Sequence, residues 1–122
     1  MTSGSSDTRV EQHGSIVTVV ISGEADLGDL RQITEALDQA LHDPDTRGTV
    51  IDLSGLTFAD SVLLNQLLKA HARHAAADRP LRVAGPLHSG VSRLLEITAA
   101  DEILAVAADV ETAVRELDAI SR

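Results

Sequence analysis

Two kinds of apolar spacing alternate along this chain, and that alternation limits its fold more than any single residue does. SIVTVVIS, residues 15–22, is dense in β-branched residues and closes at Gly23; such a run reads as a strand. In LGDLRQITEALDQALHD, residues 27–43, Leu30, Ile33, Leu37 and Leu41 instead recur at spacings of three and four. That rhythm puts them on one stripe of a helix. Asp26 stands just before the stripe as a candidate N-cap, and Pro44 stops the helix. The alternation then repeats. Val50, Ile51 and Leu53 lie between Gly48 and Gly55 as a buried strand. A helix is expected from about residue 61 to 77, ending before Pro80. LRVAG, residues 81–85, is a further strand closed by Gly85-Pro86. Residues 88–97 predict a short helix with Val91, Leu94 and Leu95 inward, and EILAVA is a brief apolar segment. Asp109 caps a last helix whose Val110, Val114 and Leu117 share a face.

A shorter strand around residues 9–12, turned by His13-Gly14, would make an antiparallel hairpin with the first run. No internal repeat is present. The expected fold is α/β: one domain, with a mixed, mostly parallel sheet of four to five strands packed with about four helices. Residues 1–8, MTSGSSDT, read as a flexible tail ahead of a domain spanning 9–122.

Composition narrows the function. At 122 residues the chain can bury one core. Phe58 is its single aromatic and the formal charge is −9, so neither a base-stacking platform nor a phosphate-binding surface is expected, and no direct nucleic-acid partner. A basic protein partner fits the charge. No apolar run is long enough to cross a bilayer, the first residues lack a secretory layout, and cysteine is absent. Those features predict a cytoplasmic protein without membrane insertion.

The chemistry concentrates in TFADSVLLNQLL, residues 57–68, where Asp60 and Ser61 stand at a strand-to-helix handover. Such a pair can be a helix cap, a nucleophile or a modification site. Capping follows from the preference of Asp and Ser for the free N–H groups of a first turn. A nucleophilic serine would want a G-x-S-x-G elbow, which is missing, and Val62 and Leu63 would crowd an oxyanion site. On the helix itself Leu64, Leu67, Leu68, His71 and Ala75 are expected inward. Val62 falls on the polar side and Leu63 on the flank, so both are expected near solvent beside Ser61, as part of a contact surface. A phosphoaspartate at Asp52 would need adjacent acidic residues for magnesium, and SGEAD does not supply them. His71 and His74 share one side of the helix but have no cysteine and no clear third ligand. No metal, cofactor or catalytic residue is expected.

The succession SGEADLGDL, VIDLSGLTFADS and LRVAGPLHSGVSRLLEITAADEIL resembles the STAS domain of bacterial anti-sigma-factor antagonists, from about Val10 to Leu117. The resemblance implies a STAS-like single domain and a partner switch acting on transcription. Such an antagonist binds an anti-sigma factor that is also a serine kinase. The kinase phosphorylates the serine after the motif aspartate to release the antagonist, and a phosphatase resets it. Carried over, the acceptor is Ser61, with Asp60 as its motif neighbour and Asp26 close to the same surface. Asp26, Asp60, Ser61, Val62 and Leu63 are then the partner-binding residues. The chain departs from the family pattern where Val62 replaces a small hydroxyl residue and Leu63 replaces glycine. That departure leaves an alternative, an unswitched STAS interaction subunit of a signalling scaffold or of a transport complex such as a membrane-lipid transporter. A ligand-sensing domain is a third reading, with no residue cluster to name its ligand.

Overall fold

The structure, a computed structural model, describes residues 6–24 and 30–120. Along the chain run β1 (Ser6–His13), β2 (Ile16–Glu24), α1 (Leu30–His42), β3 (Gly48–Asp52), β4 (Leu56–Phe58), α2 (Ser61–Ala76), β5 (Leu81–Ala84), α3 (Ser89–Ile97), a 3-10 turn (Ala100–Glu102), β6 (Val106–Ala107) and α4 (Val110–Ile120). The strands form one sheet in the order β1-β2-β3-β5-β6. Among the described residues only β1 and β2 are antiparallel, and every other pairing is parallel. The expected mixed α/β architecture with four helices is therefore present.

Period-two alternation divides the core. Val17, Val19 and Ile21 on β2, Ile51 on β3 and Val83 on β5 face the larger cluster, where they meet Ile33 and Leu37 of α1, Leu64 and Leu67 of α2, and Val91 and Leu95 of α3. Their neighbours Ile16, Val50 and Ala84 face the other way, against Ala113 and Leu117 of α4. Helices on both faces explain why β3 is apolar at successive positions rather than every second one.

The ends of the elements follow from local chemistry. The Asp109 carboxylate accepts the Thr112 N–H at 2.8 Å and caps α4. The β1–β2 hairpin turns at Gly14, which has a φ of +64°, the left-handed conformation glycine adopts without strain. β1 begins at Ser6, so the strand reaches further toward the N-terminus than residues 9–12 suggested.

β2 outlasts β3. Its first half pairs with β3, and its last residues Gly23 and Glu24 pair with β4. The crossing is tight: the Gly23 N–H donates to the Gly55 carbonyl at 2.9 Å, and a Cβ on Gly55 would sit 2.9 Å from the Ser22 Cβ. β4 does not show in the sequence pattern, because three residues carry no period, and β6 is the two-residue end of the apolar EILAVA segment.

The orientation of α2 differs from expectation. Leu63, Leu64, Leu67, Ala70 and His74 are its buried residues, while Leu68 and His71 are half-buried and Ala75 is exposed. Leu63 is thus a core residue with no exposed surface, not a flanking residue near solvent. His74, outside the expected inward set, is also buried, at 1 % exposed. The stripe that meets the sheet runs 63-67-70-74, and small Ala70 lets the helix sit close. His74 enters the core with both ring nitrogens bonded: Nδ1–H donates to the Ala70 carbonyl at 2.8 Å, and Nε2 lies 3.0 Å from the Thr49 hydroxyl.

Candidate functional site

The site is the start of α2. Asp60 has extended backbone (φ −112°, ψ 179°) and stands at the N-cap. Its Oδ1 accepts the Leu63 N–H at 3.0 Å, and its carbonyl accepts the Leu64 N–H at 3.1 Å. The cap predicted for Asp60 is therefore made. It satisfies one of the free donors of the first turn.

Ser61 is the first residue of α2 and is exposed. Val62 beside it is also exposed, at 38 %, and Phe58 at the end of β4 is 53 % exposed. Ala59 and Asp60 between them are half-buried. A hydroxyl at the positive end of a helix thus shares a short stretch of chain with two exposed apolar side chains. Phe58 escaped the sequence reading. The signal was available, since the chain's one aromatic lies two residues before Asp60, but its exposure depends on β4 turning only Leu56 inward.

Of the five predicted contact residues, the structure brings Asp60, Ser61 and Val62 to one surface patch. It removes Leu63, whose side chain points beneath the patch into the core. Asp26 lies outside the described residues, both as the expected cap of α1 and as a contact residue. Its sequence neighbour Glu24 stands opposite Phe58 in the β2–β4 register. The SGE and TFADS segments are therefore joined strand to strand.

The residues of the other readings are engaged as follows. Asp52 Oδ1 accepts the Ser54 N–H at 2.9 Å, which gives the carboxylate a turn-forming task. His74 has no ring nitrogen to offer a metal, and among the described residues no group of three or more potential ligands converges. No helix among them is long and apolar enough to cross a membrane.

Comparison with known proteins agrees with this fold. The family model described as "Mlab, STAS domain" matches residues 8–106. No functionally curated protein matches the chain by sequence. Among solved structures, an anti-sigma factor antagonist from Mycobacterium paratuberculosis superposes with a TM-score of 0.85 at 23 % identity, over 96 % of this chain and 97 % of the other. A variant of RsbS from Moorella thermoacetica with a serine replaced by glutamate gives 0.80 at 19 %, over 94 % and 97 %. The Bacillus cell fate determinant SpoIIAA in its phosphorylated form gives 0.70 at 15 %, over 89 % and 98 %. The fold is that of the anti-sigma-factor antagonists, and from the family match over most of its length this chain belongs to the STAS-domain family.

Proposed function

We propose that the protein is an anti-sigma-factor antagonist that binds a serine-kinase anti-sigma factor and is released by phosphorylation of Ser61. One observation carries this reading: Ser61 is an exposed first residue of α2, set behind the Asp60 cap and flanked by exposed Phe58 and Val62. The apolar flanks suit a protein contact. The helix N-terminus suits a phosphate, because the dipole and the unpaired N–H groups of the first turn favour negative charge. Phosphorylation adds about two negative charges at neutral pH beside Asp60. The fold tolerates them, whereas an apolar interface does not.

Leu63 bears on access to the serine. In place of the family's glycine it packs beneath the site, so its bulk does not stand over the Ser61 hydroxyl. In this reading the chain catalyses nothing itself, needs no cofactor, works in the cytoplasm, and is reset by a phosphatase.

The test is phosphosite mapping of the protein from its native cells, with Ser61→Ala as control. A single phosphate on Ser61, missing in the control, is the expected result. Ser61→Asp should bind the anti-sigma factor at least about tenfold more weakly than the wild type. A second reading keeps the fold and drops the switch: an unswitched interaction subunit of a scaffold or transport complex. It is favoured by bulky Val62 in place of a small hydroxyl residue and by the Mlab-type family match. A Ser61 unmodified under both growth and stress would select it.

A further inference from the structure

β1 is an end strand of the sheet, and among the described residues only β2 pairs with it. Its other edge carries a self-complementary pattern. The hairpin turns through Gly14 and Ser15, which sets His13 opposite Ile16. In a two-residue hairpin that closing pair is hydrogen-bonded. Bonded pairs then alternate back along the strand, so Glu11 and Arg9 direct their backbone groups toward β2. Ser6, Thr8, Val10 and Gln12 direct theirs outward. Val10 is also 53 % exposed, a large apolar residue on an open sheet edge. Edges of this kind are templates for another strand.

We infer that two copies of this chain pair antiparallel through β1, with the two-fold axis passing between their Val10 residues. In that register Val10 faces Val10 of the second copy, and Thr8 faces its Gln12. Arg9 faces Glu11 of the second copy, and Glu11 faces its Arg9. Thr8, Val10 and Gln12 of each strand then exchange main-chain hydrogen bonds with the copy, and Ser6 lies beyond the paired stretch.

The charges select this register over its neighbours. Centring the axis on Arg9 sets two guanidiniums face to face; centring it on Glu11 sets two carboxylates face to face. Shifts by a single residue mate outward backbone groups with inward ones. Among registers that mate outward groups with outward groups, the Val10 register alone sets both Arg9 and Glu11 against an opposite charge. Arg9 and Glu11 already pair within one chain at 3.2 Å. In the dimer the two intrachain pairs join into a ladder of alternating sign, which cross-strand contact stabilises. Because the joined strands run antiparallel, the two Ser61 patches lie at opposite ends of the continuous sheet.

Sedimentation equilibrium on the full chain tests this independently of the proposed function. Apparent mass is expected to rise with concentration from 12.9 kDa toward twice that value. Val10→Pro removes an outward N–H, a change that edge strands tolerate. It should keep the circular dichroism spectrum and hold the mass at 12.9 kDa. Arg9→Glu and Glu11→Arg each set like charges opposite one another in the dimer and should weaken self-association at least about tenfold. An equimolar mixture of those two variants should associate again, because an acidic strand then meets a basic one. This mixture carries the test even if Val10→Pro disturbs the hairpin. A wild-type chain that stays monomeric at millimolar concentration, or a dimer that neither charge reversal weakens, overturns the proposal.

Discussion

Asp60 has two separable tasks, one for the fold and one for the proposed switch. Its Oδ1 accepts the Leu63 N–H, and its charge lies next to the hydroxyl of Ser61. Asparagine keeps the cap and removes the charge, whereas alanine removes both. Asp60→Ala should therefore lose about 1 kcal/mol of stability in chemical denaturation, and Asp60→Asn only a few tenths. If the carboxylate also takes part in phosphorylation, Asp60→Asn should be a poor kinase substrate while staying as stable as the wild type. Equal stability losses in the two variants would contradict the cap as drawn. Leu63 makes the contrasting case. It replaces the family's glycine, yet it is wholly buried in the larger core. Leu63→Ala should cost about 2–5 kcal/mol, the usual range for a buried leucine cut back to alanine. Restoring the family glycine would add the loss of helix propensity to that cost. A change of under about 0.5 kcal/mol would place Leu63 at the surface after all.

At the scale of elements, α2 shows where sequence reading succeeds and where it stops. α1 was legible because Ile33, Leu37 and Leu41 mark one stripe, small Ala36 and Ala40 widen it, and polar residues fill the opposite face. α2 carries leucine at 63, 64, 67 and 68, so two stripes, 63-67-70-74 and 64-68-71-75, fit the three-four rhythm equally. The sheet chooses between them, and neither Ala70 nor His74 advertises burial. β4 was hidden for a related reason: three residues carry no period, and its pairing exists only because β2 extends past β3. The site was half legible. Asp60 and Ser61 were readable as a local motif, whereas the exposure of Phe58 and the burial of Leu63 are tertiary outcomes.

The choice of stripe gives α2 a pH response. Burial lowers the His74 pKa below its ordinary value of 6.5, the bond to the Ala70 carbonyl opposes that shift, and the nearby Arg79, His71 and His42 add to it. The folded state therefore holds the imidazole neutral more firmly than the unfolded chain does. Its contribution is fully present above about pH 6.5 and is lost as pH falls from there through the folded pKa. Across that window stability should fall by up to about 1.4 kcal/mol per pH unit. Denaturation midpoints between pH 5 and 8 would show the slope. His74→Gln should flatten it, even though the variant starts less stable at pH 8. An unchanged slope in His74→Gln would assign the response to other groups.

For the whole molecule, the proposed switch poses the question whether a phosphate on Ser61 would act by changing the fold or by changing the surface. The sheet is covered by α1, α2 and α3 on one face and α4 on the other, and Ser61 is exposed at the start of α2. A charge placed there meets the free N–H groups of the first turn and no buried apolar group. Phosphorylation should accordingly leave the thermal midpoint of the isolated protein within a few degrees, or raise it slightly. The same modification should weaken partner binding at least about tenfold, because the added charge must be desolvated between Phe58 and Val62. Thermal unfolding and partner titration of the modified protein, run side by side, decide the matter. A large drop in midpoint would mean that the switch works by loosening α2. A stable protein that no longer binds would place the switch in the electrostatics of one exposed patch.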